Sequence, residues 1–187
     1  MFLISEIACL EAAKLGGMDD WDLFEKVLKL GLKFEPSGSD ALECLSPHSA
    51  CGTTSAVQPS NIITAVFHLA ARLYLCSLIP GLDITQPPVT ELVSEISDII
   101  CSVPAGISYD QSLVWPYLIA GSMSTATSPL RSVLLERIKH LGVRAELGSF
   151  GRMVRLLEEL WTQRDNGRQN ITWRGVMEEK GWEFLLL

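Results

Sequence analysis

Apolar residues recur along this chain at the three- and four-residue spacing of an amphipathic helix, in one segment after another. No segment shows the sustained alternation of apolar and polar residues that is typical of a half-buried strand. The pattern therefore predicts an all-α fold of about eight helices. The first of them covers about Leu3 to Leu15 and ends at Gly16-Gly17.

The next two predicted helices are amphipathic. One begins at a capping aspartate, Asp19 or Asp20, and ends near Gly31, and the other begins at Ser60. The apolar face of the earlier helix is predicted to hold Trp21, Phe24, Val27 and Leu28. The buried stripe of the later helix is predicted to hold Ile63, Val66, Phe67, Ala70, Leu73 and Tyr74.

The segment LVWPYLIAGSM, residues 113–123, carries no charged residue and is predicted to be a helix enclosed on nearly every side. Pro116 fits the first turn of that helix if Ser112 is the cap, because the backbone N–H groups of a first turn have no intrahelical partner. If Asp110 is the cap instead, Pro116 is internal and kinks the helix. We expect the C-terminal WEFLLL to pack over this segment, since a free apolar tail would expose a sticky patch.

Turn and capping residues delimit the remaining predicted helices. One helix follows Pro87-Pro88, and the next opens at Ser128-Pro129 and stops at Gly142. A third starts at Ser149, and the last runs from a capping Thr172 to Lys180.

Residues 33–59, between the second and third helices, are rich in Ser, Gly, Thr and Pro. A loop of this length inside a compact domain is either a lid or a disordered connector. At 187 residues the chain is long enough to bury one proper core. We therefore expect a single compact helical domain over residues 1–187, with this loop inserted in it.

Charge and cysteine content limit the classes of function. The formal net charge of −7 argues against direct nucleic-acid binding, which depends on lysine and arginine at the phosphates. No stretch reaches membrane-span length without interruption, so we expect no membrane span. Five widely spaced cysteines favour a reducing, intracellular compartment, nucleus or cytoplasm, with Cys9, Cys76 and Cys101 as small core residues.

Several motifs then occur in a fixed order: AVFHLAARLYL, LVWPYLIAGSM, LLEELWTQRD, WRGVM and GWEFLLL. This order resembles the C-terminal half of the fungal-specific regulatory domain of zinc-binuclear-cluster (Zn2Cys6) transcription factors, over residues 60–187. The W-P-x-x-x-A-G and L-W-x-x-R-D runs carry most of the likeness. The resemblance implies a helical domain that, in some members, binds an apolar metabolite and couples it to transcription.

The chain departs from that family in its cysteines, because the C-x-x-C pairs of the zinc module are absent. Cys44, His48 and Cys51 come nearest to a ligand set, but they lack a fourth ligand. We therefore expect no metal and no cofactor. Numbering from Met1 favours a stand-alone chain over an excised fragment.

Three functions remain open. The first is an apolar small-molecule-binding regulatory domain with no DNA contact of its own. The second is a stand-alone natural-product enzyme, a cofactor-free cyclase or isomerase of the pericyclic type such as a Diels–Alder reaction. It would hold an apolar polyketide or terpene in a folded pose. The third is an interaction module that forms a homodimer or pairs with a related regulator.

The first two functions need an apolar cavity near LVWPYLIAGSM. Its predicted walls are Trp115, Leu118 and Trp161. Its polar groups are predicted to come from His68, Arg72, Tyr74 and Tyr117. For an enzyme, the candidate catalytic residues are His68, Arg72 and Tyr117. A solidly packed region with His68 and Arg72 both in water would favour the interaction module alone.

Overall fold

A computed structural model describes residues 2–31, 59–168 and 171–182, and all the regular structure in these ranges is helical. The helices are α1 (Phe2–Leu15), α2 (Asp20–Gly31), α3 (Pro59–Ser77), α4 (Pro87–Cys101), α5 (Ile107–Ser112), α6 (Val114–Ser122), α7 (Pro129–Leu141), α8 (Gly148–Asp165) and α9 (Trp173–Glu179). A 3₁₀ helix, Gly142–Glu146, joins α7 to α8. The predicted all-α class is confirmed, and the short α5 is the helix that the sequence pattern did not predict.

Local capping sets several of the predicted boundaries. At the start of α2, Asp19 accepts a hydrogen bond from the backbone N–H of Trp21 at 3.0 Å. At the start of α9, Thr172 accepts one from the backbone N–H of Gly175 at 3.1 Å. Gly142 ends α7 with a φ of +56°, which a residue with a side chain rarely adopts. These ends follow from the local sequence, because a cap is made within a few residues of the helix it closes.

Helix α6 lies at the centre of the core. Every one of its residues except Trp115 is buried, as expected for a segment that is apolar on all sides. It packs against α3, α7 and α8, so the predicted contact between the helix near Ser60 and the helix near Ser112 is confirmed. Helices α1 and α2 pack on α3, α4 packs on α3 and α7, and α9 packs on α8.

Pro116 lies in the first turn of α6, whose N-cap is Leu113. The backbone N–H of Tyr117, the residue after the proline, bonds to the carbonyl oxygen of Leu113 at 2.8 Å. Pro116 therefore removes no intrahelical hydrogen bond. Neither of the two predicted N-caps of α6 is right. Ser112 is the last residue of α5, and Asp110 lies within α5.

Two glycines allow a close approach between elements. A Cβ added to Gly121 would lie 2.6 Å from Cδ1 of Leu157, so this glycine lets α6 and α8 come together. A Cβ on Gly151 would lie 2.2 Å from the backbone carbonyl oxygen of Glu146. That second contact involves backbone, so rotation of a side chain could not relieve it.

The structure corrects the predicted buried face of α2. The residues that face the core are Leu23, Val27 and Leu30. Of the predicted face, Trp21, Phe24 and Leu28 are 73%, 37% and 52% exposed. Helix α2 therefore carries two apolar stripes, and among the described residues only the stripe of Leu23, Val27 and Leu30 packs on the core.

The cysteine prediction is also corrected. Cys9 and Cys101 are exposed and Cys76 is half-buried, so two of the three are surface residues. In the described ranges, no group of His, Cys, Asp and Glu side chains is arranged to hold a metal ion. No helix of these ranges has the length and apolarity needed to cross a membrane.

Two predicted segments fall largely outside the described residues. The Ser/Gly/Pro-rich loop of residues 33–59 lies there up to residue 58, including Cys44, His48 and Cys51. The tail WEFLLL lies there from residue 183 onward. Its first residue, Trp182, is half-buried against the core.

Candidate functional site

The predicted site residues fall into two groups in the structure. His68 and Arg72 are exposed on α3. The others belong to the core or pack against it: Tyr74, Trp115, Tyr117, Leu118 and Trp161. His68 and Arg72 thus lie at the surface of α3, whereas the other five belong to the core around α6 or pack against it.

A buried polar cluster lies at the amino end of α6. The Asp110 carboxylate is fully buried on α5 and accepts three hydrogen bonds. At Oδ1 they come from the Tyr117 hydroxyl at 2.6 Å and from the Arg137 guanidinium at 2.8 Å. At Oδ2 the donor is the backbone N–H of Gly106, at 2.9 Å.

Arg137 comes from α7, and its second terminal nitrogen donates to the backbone carbonyl oxygens of Ile100, at 2.5 Å, and Val103. Its charge is paired with Asp110, and its other donors satisfy carbonyl groups at the end of α4. One ion pair therefore ties α4, α5, α6 and α7 together. A buried ion pair is tolerated only when its remaining donors and acceptors are satisfied in this way.

Both buried tyrosines are held in their neutral form. Burial, and then the Asp110 carboxylate, raise the pKa of Tyr117 well above its ordinary value. Burial, and then the hydrogen bond to Glu11, raise the pKa of Tyr74 to about 12. At neutral pH the two hydroxyls therefore act as hydrogen-bond donors and not as bases.

The carboxyl end of α6 is held by side chains of α8. The indole N–H of Trp161 donates to the carbonyl oxygen of Gly121 at 2.8 Å, and Arg164 donates to that of Ser122 at 2.8 Å. The last carbonyl groups of a helix have no intrahelical partner, so these two contacts satisfy them. The positive charge of Arg164 also lies at the negative end of the helix dipole.

Arg131 of α7 completes this arrangement. Its guanidinium contacts both carboxylate oxygens of Asp165, at 2.8 and 3.1 Å, and donates to the carbonyl oxygen of Ser124 at 3.3 Å. It also lies over the ring of Trp161, 4.9 Å from the centroid, at a distance typical of a cation–π contact. Arg131 thus connects the exposed Asp165 carboxylate to the buried indole of Trp161.

These contacts give the two motifs of the sequence a structural role. The W-P-x-x-x-A-G run forms α6 and presents its terminal carbonyl groups. The L-W-x-x-R-D run supplies Trp161, Arg164 and Asp165, which hold that end of the helix directly or through Arg131. The two runs meet in space although they lie 40 residues apart.

A group of aromatic rings covers the α3 side of α6. Phe67 stacks on Trp115 with ring centroids 5.8 Å apart, and Tyr74 meets Trp115 edge-on at 5.9 Å. The Tyr74 hydroxyl donates to Glu11 of α1. Glu11 in turn pairs with Arg174 of α9, with Nε and Oε1 2.6 Å apart. The rings therefore lie where α1, α3, α6 and α9 come together.

A cavity of about 300 Å³ lies beside the buried ion pair. Its lining residues are Cys101, Ala105, Val133, Glu136, Arg137 and His140. None of the predicted site residues is among them, and the lining mixes charged and apolar side chains. This cavity is therefore not the apolar one that the sequence predicts.

The pairing of Asp110 with Arg137 was not predicted from the sequence, although the position of Arg137 along α7 indicates a buried arginine. On α7, Leu130, Leu134 and Arg137 follow the spacing i, i+4, i+7 of one helix face. An arginine on the buried stripe of a helix needs a buried acid. Which acid it meets depends on the packing of α5 against α7.

The comparisons with known proteins cover the full chain. A family model described as the fungal-specific transcription factor domain matches residues 1–187. The transcriptional regulatory protein pro1 of Neurospora crassa is 39% identical over 213 residues, which cover 100% of this chain and 31% of that protein. The chain thus spans about a third of the length of this relative. No solved structure matches the chain.

Proposed function

This chain belongs to the fungal-specific transcription factor domain family, and we propose that it is a regulatory domain that acts through protein contacts and makes no DNA contact of its own. The family resemblance drawn from the sequence motifs over residues 60–187 is confirmed, and the match extends to residue 1. The relative is named as a transcriptional regulatory protein, and under this proposal the chain works in the nucleus.

Exposed apolar surface is the observation that carries the proposal. One group of exposed apolar residues lies on α2, where the rings of Trp21 and Phe24 are 6.3 Å apart, and Leu135, Val143 and Leu147 are also exposed, on and after α7. Large apolar side chains that are grouped at a surface mark sites of protein contact. Because the family consists of transcription factor domains, such contacts would serve the control of transcription.

The interior favours the same conclusion. Two polar groups of the cavity predicted from the sequence are already used: Tyr117 donates to Asp110, and Trp161 donates to Gly121. His68 and Arg72 are exposed, which is the outcome expected for an interaction module. The net charge of −7 supports the absence of DNA contact, because phosphate binding needs a positive surface.

A reporter assay tests this proposal. The 187-residue chain, fused to an unrelated DNA-binding domain in yeast, is expected to change expression of a reporter gene. Leu28→Asp and Leu147→Asp each replace one exposed apolar side chain by a charged one. At least one of them is expected to abolish the change at equal protein level, with an unaltered circular dichroism spectrum. A response that survives both variants would contradict the proposal. So would binding of the unfused chain to random duplex DNA below about 1 µM at physiological salt, tighter than ordinary non-specific binding.

An apolar small molecule, the ligand predicted from the sequence, has less support. The half-buried Phe67–Trp115 pair is the place where an apolar molecule could add without breaking a buried hydrogen bond. Saturable binding of the fluorescent probe anilinonaphthalene sulfonate at one site per chain, lost in Phe67→Ser, would favour that ligand. Weak, non-saturating fluorescence in both proteins would leave protein contact as the function. The pericyclic enzyme would need the same site.

A further inference from the structure

We propose that Ser128, at the start of α7, is a phosphorylation site for a proline-directed serine kinase, and that Arg131 and the first turn of α7 hold the phosphoryl group. This inference concerns a covalent modification and does not depend on the proposed protein contacts. Ser128 is followed by Pro129, the residue that such kinases require after the target serine. The dipeptide Ser-Pro also occurs at Ser46-Pro47, outside the described residues.

Two buried polar atoms lie without a partner at the start of α7. Within the described ranges, Ser128 Oγ and Arg131 Nε are the buried side-chain nitrogen and oxygen atoms that have no hydrogen-bond partner. They belong to the N-cap and to the first turn of the same helix, three residues apart. Buried polar atoms are nearly always hydrogen-bonded, so this pair marks a place where a further polar group fits.

The Arg131 side chain is directed at this end of the helix. Arg131 is only 8% exposed. Helical side chains point back towards the N-terminus, so its guanidinium covers the turn before it. Its contacts agree with this direction, because Nη2 donates to the carbonyl oxygen of Ser124, in the connection between α6 and α7, at 3.3 Å. Arg131 Nε is therefore a buried donor at a helix start, where the helix dipole also favours negative charge.

The charges around Arg131 favour a further anion. Arg131 and Arg164 both donate to the carbonyl oxygen of Ser124, at 3.3 and 3.5 Å. Burial, and then the charge of Arg131, lower the pKa of Arg164, and the carboxylate of Asp165 opposes this shift. One carboxylate is thus shared by two guanidinium groups, and its side chain is 47% exposed. A phosphoryl group carries a charge of about −1.5 to −2 at neutral pH and would balance the excess positive charge.

A kinase can reach Ser128 without breaking a hydrogen bond of its side chain. The residue is half-buried, and its neighbours Thr127 and Pro129 are exposed. Its φ and ψ are −66° and 130°, so the backbone at the target serine is already extended. Because the hydroxyl has no partner in its buried position, rotation about the Cα–Cβ bond towards solvent costs no hydrogen bond.

The reaction transfers a phosphoryl group from ATP. Ser128 Oγ forms a bond to the γ-phosphorus, the bond from that phosphorus to the β–γ bridging oxygen breaks, and ADP leaves. A base of the kinase takes the hydroxyl proton. The product carries its phosphoryl group at the N-cap, three residues before Arg131, where about one to three charge-assisted hydrogen bonds are expected.

Phosphorylation in solution tests the site. The chain with Ser46→Ala, which removes the other Ser-Pro, is incubated with ATP and a recombinant proline-directed serine kinase. Intact mass and peptide mass spectrometry are expected to show one phosphoryl group per chain, at Ser128. The matched control, Ser46→Ala with Ser128→Ala, should stay unmodified. A chain that remains unmodified at Ser128, while a Ser-Pro peptide in the same reaction is modified, would overturn the proposed site.

Phosphorus NMR tests the contacts of the phosphoryl group. A nearby guanidinium and a helix N-terminus both favour the dianion, so they lower the pKa of the second ionisation. The titration midpoint of the folded phosphorylated chain is expected to lie about 0.5 pH unit or more below that of the same chain unfolded in urea. Equal midpoints would place the phosphoryl group in solvent and overturn its contacts with α7.

Two arginine variants assign the contact. Arg131→Gln should move the folded midpoint towards the value of the unfolded chain. The matched control Arg155→Gln changes an exposed arginine of α8 and should leave the midpoint where it is. Circular dichroism shows whether each variant keeps its helices. A folded Arg131→Gln chain with an unchanged midpoint would contradict the role of Arg131, and the comparison with urea still tests the helix start if this variant does not fold.

Discussion

Arg137→Met is expected to lower the free energy of unfolding by about 3–5 kcal/mol, the usual cost of removing one partner of a buried ion pair. The substitution leaves the Asp110 carboxylate buried with the Tyr117 hydroxyl and a backbone N–H as partners but without a positive charge. It also removes the donors to the carbonyl groups at the end of α4. Urea unfolding at neutral pH, followed by far-ultraviolet circular dichroism, measures the loss.

Two further variants show whether the loss comes from the isolated charge. Arg144→Met makes the same change at an exposed arginine on the 3₁₀ helix, and it should alter stability by less than about 0.5 kcal/mol. Combining Arg137→Met with Asp110→Asn removes both charges, so this pair should be more stable than Arg137→Met alone. If the double variant were the less stable of the two, the cost would come from lost packing and not from an unpaired charge.

Trp161→Ala is expected to cost about 3–5 kcal/mol as well, which is typical of removing a large buried aromatic side chain. The indole is buried between α6 and α7, donates to Gly121, and carries the guanidinium of Arg131 on its face. Its loss leaves a cavity and removes one of the side chains that hold the carboxyl end of α6. Thermal unfolding at low protein concentration, together with urea titration, measures the change.

Trp161→Phe separates the hydrogen bond from the packing. Phenylalanine keeps a ring in the site but removes the indole donor. The Gly121 carbonyl oxygen still accepts a hydrogen bond from the Ser124 hydroxyl at 2.7 Å, so the loss is expected to be about 0.5–1.5 kcal/mol. Trp21→Ala, at an exposed residue of α2, is the matched control and should be nearly neutral. Equal losses in Trp161→Ala and Trp21→Ala would contradict the assigned role of Trp161.

The stability predictions and the surface proposal concern different parts of the molecule. The contacts of Arg137 and Trp161 hold α6 at both ends and are buried. The exposed apolar residues of α2 lie outside this core and have no assigned role in it. Variants of α2 can therefore change binding while the fold is retained, which makes the reporter experiment interpretable.

The helices and several of their ends were predictable from the sequence alone. Helical periodicity and caps such as Asp19 and Thr172 depend on residues a few positions apart, so the information is local. The central position of α6 was predictable for a similar reason. A segment that is apolar on all sides has to be enclosed, whichever elements enclose it.

The sequence also determined that a buried Tyr117 hydroxyl needs a partner. It did not determine which partner, and it suggested a ligand. The tertiary structure supplies Asp110 from α5, and it brings Arg137 to the same carboxylate from 27 residues further along the chain. Such a pairing depends on how α5 and α7 pack, and no spacing within one helix encodes it.

Helix α2 shows the same division most clearly. The sequence shows two apolar stripes on one helix, but either stripe could have faced the core. The contacts of α2 with α1 and α3 decided that Leu23, Val27 and Leu30 are buried and that Trp21, Phe24 and Leu28 face outward. Periodicity determines which residues share a helix face, whereas the position of the neighbouring helices determines which face loses its contact with water.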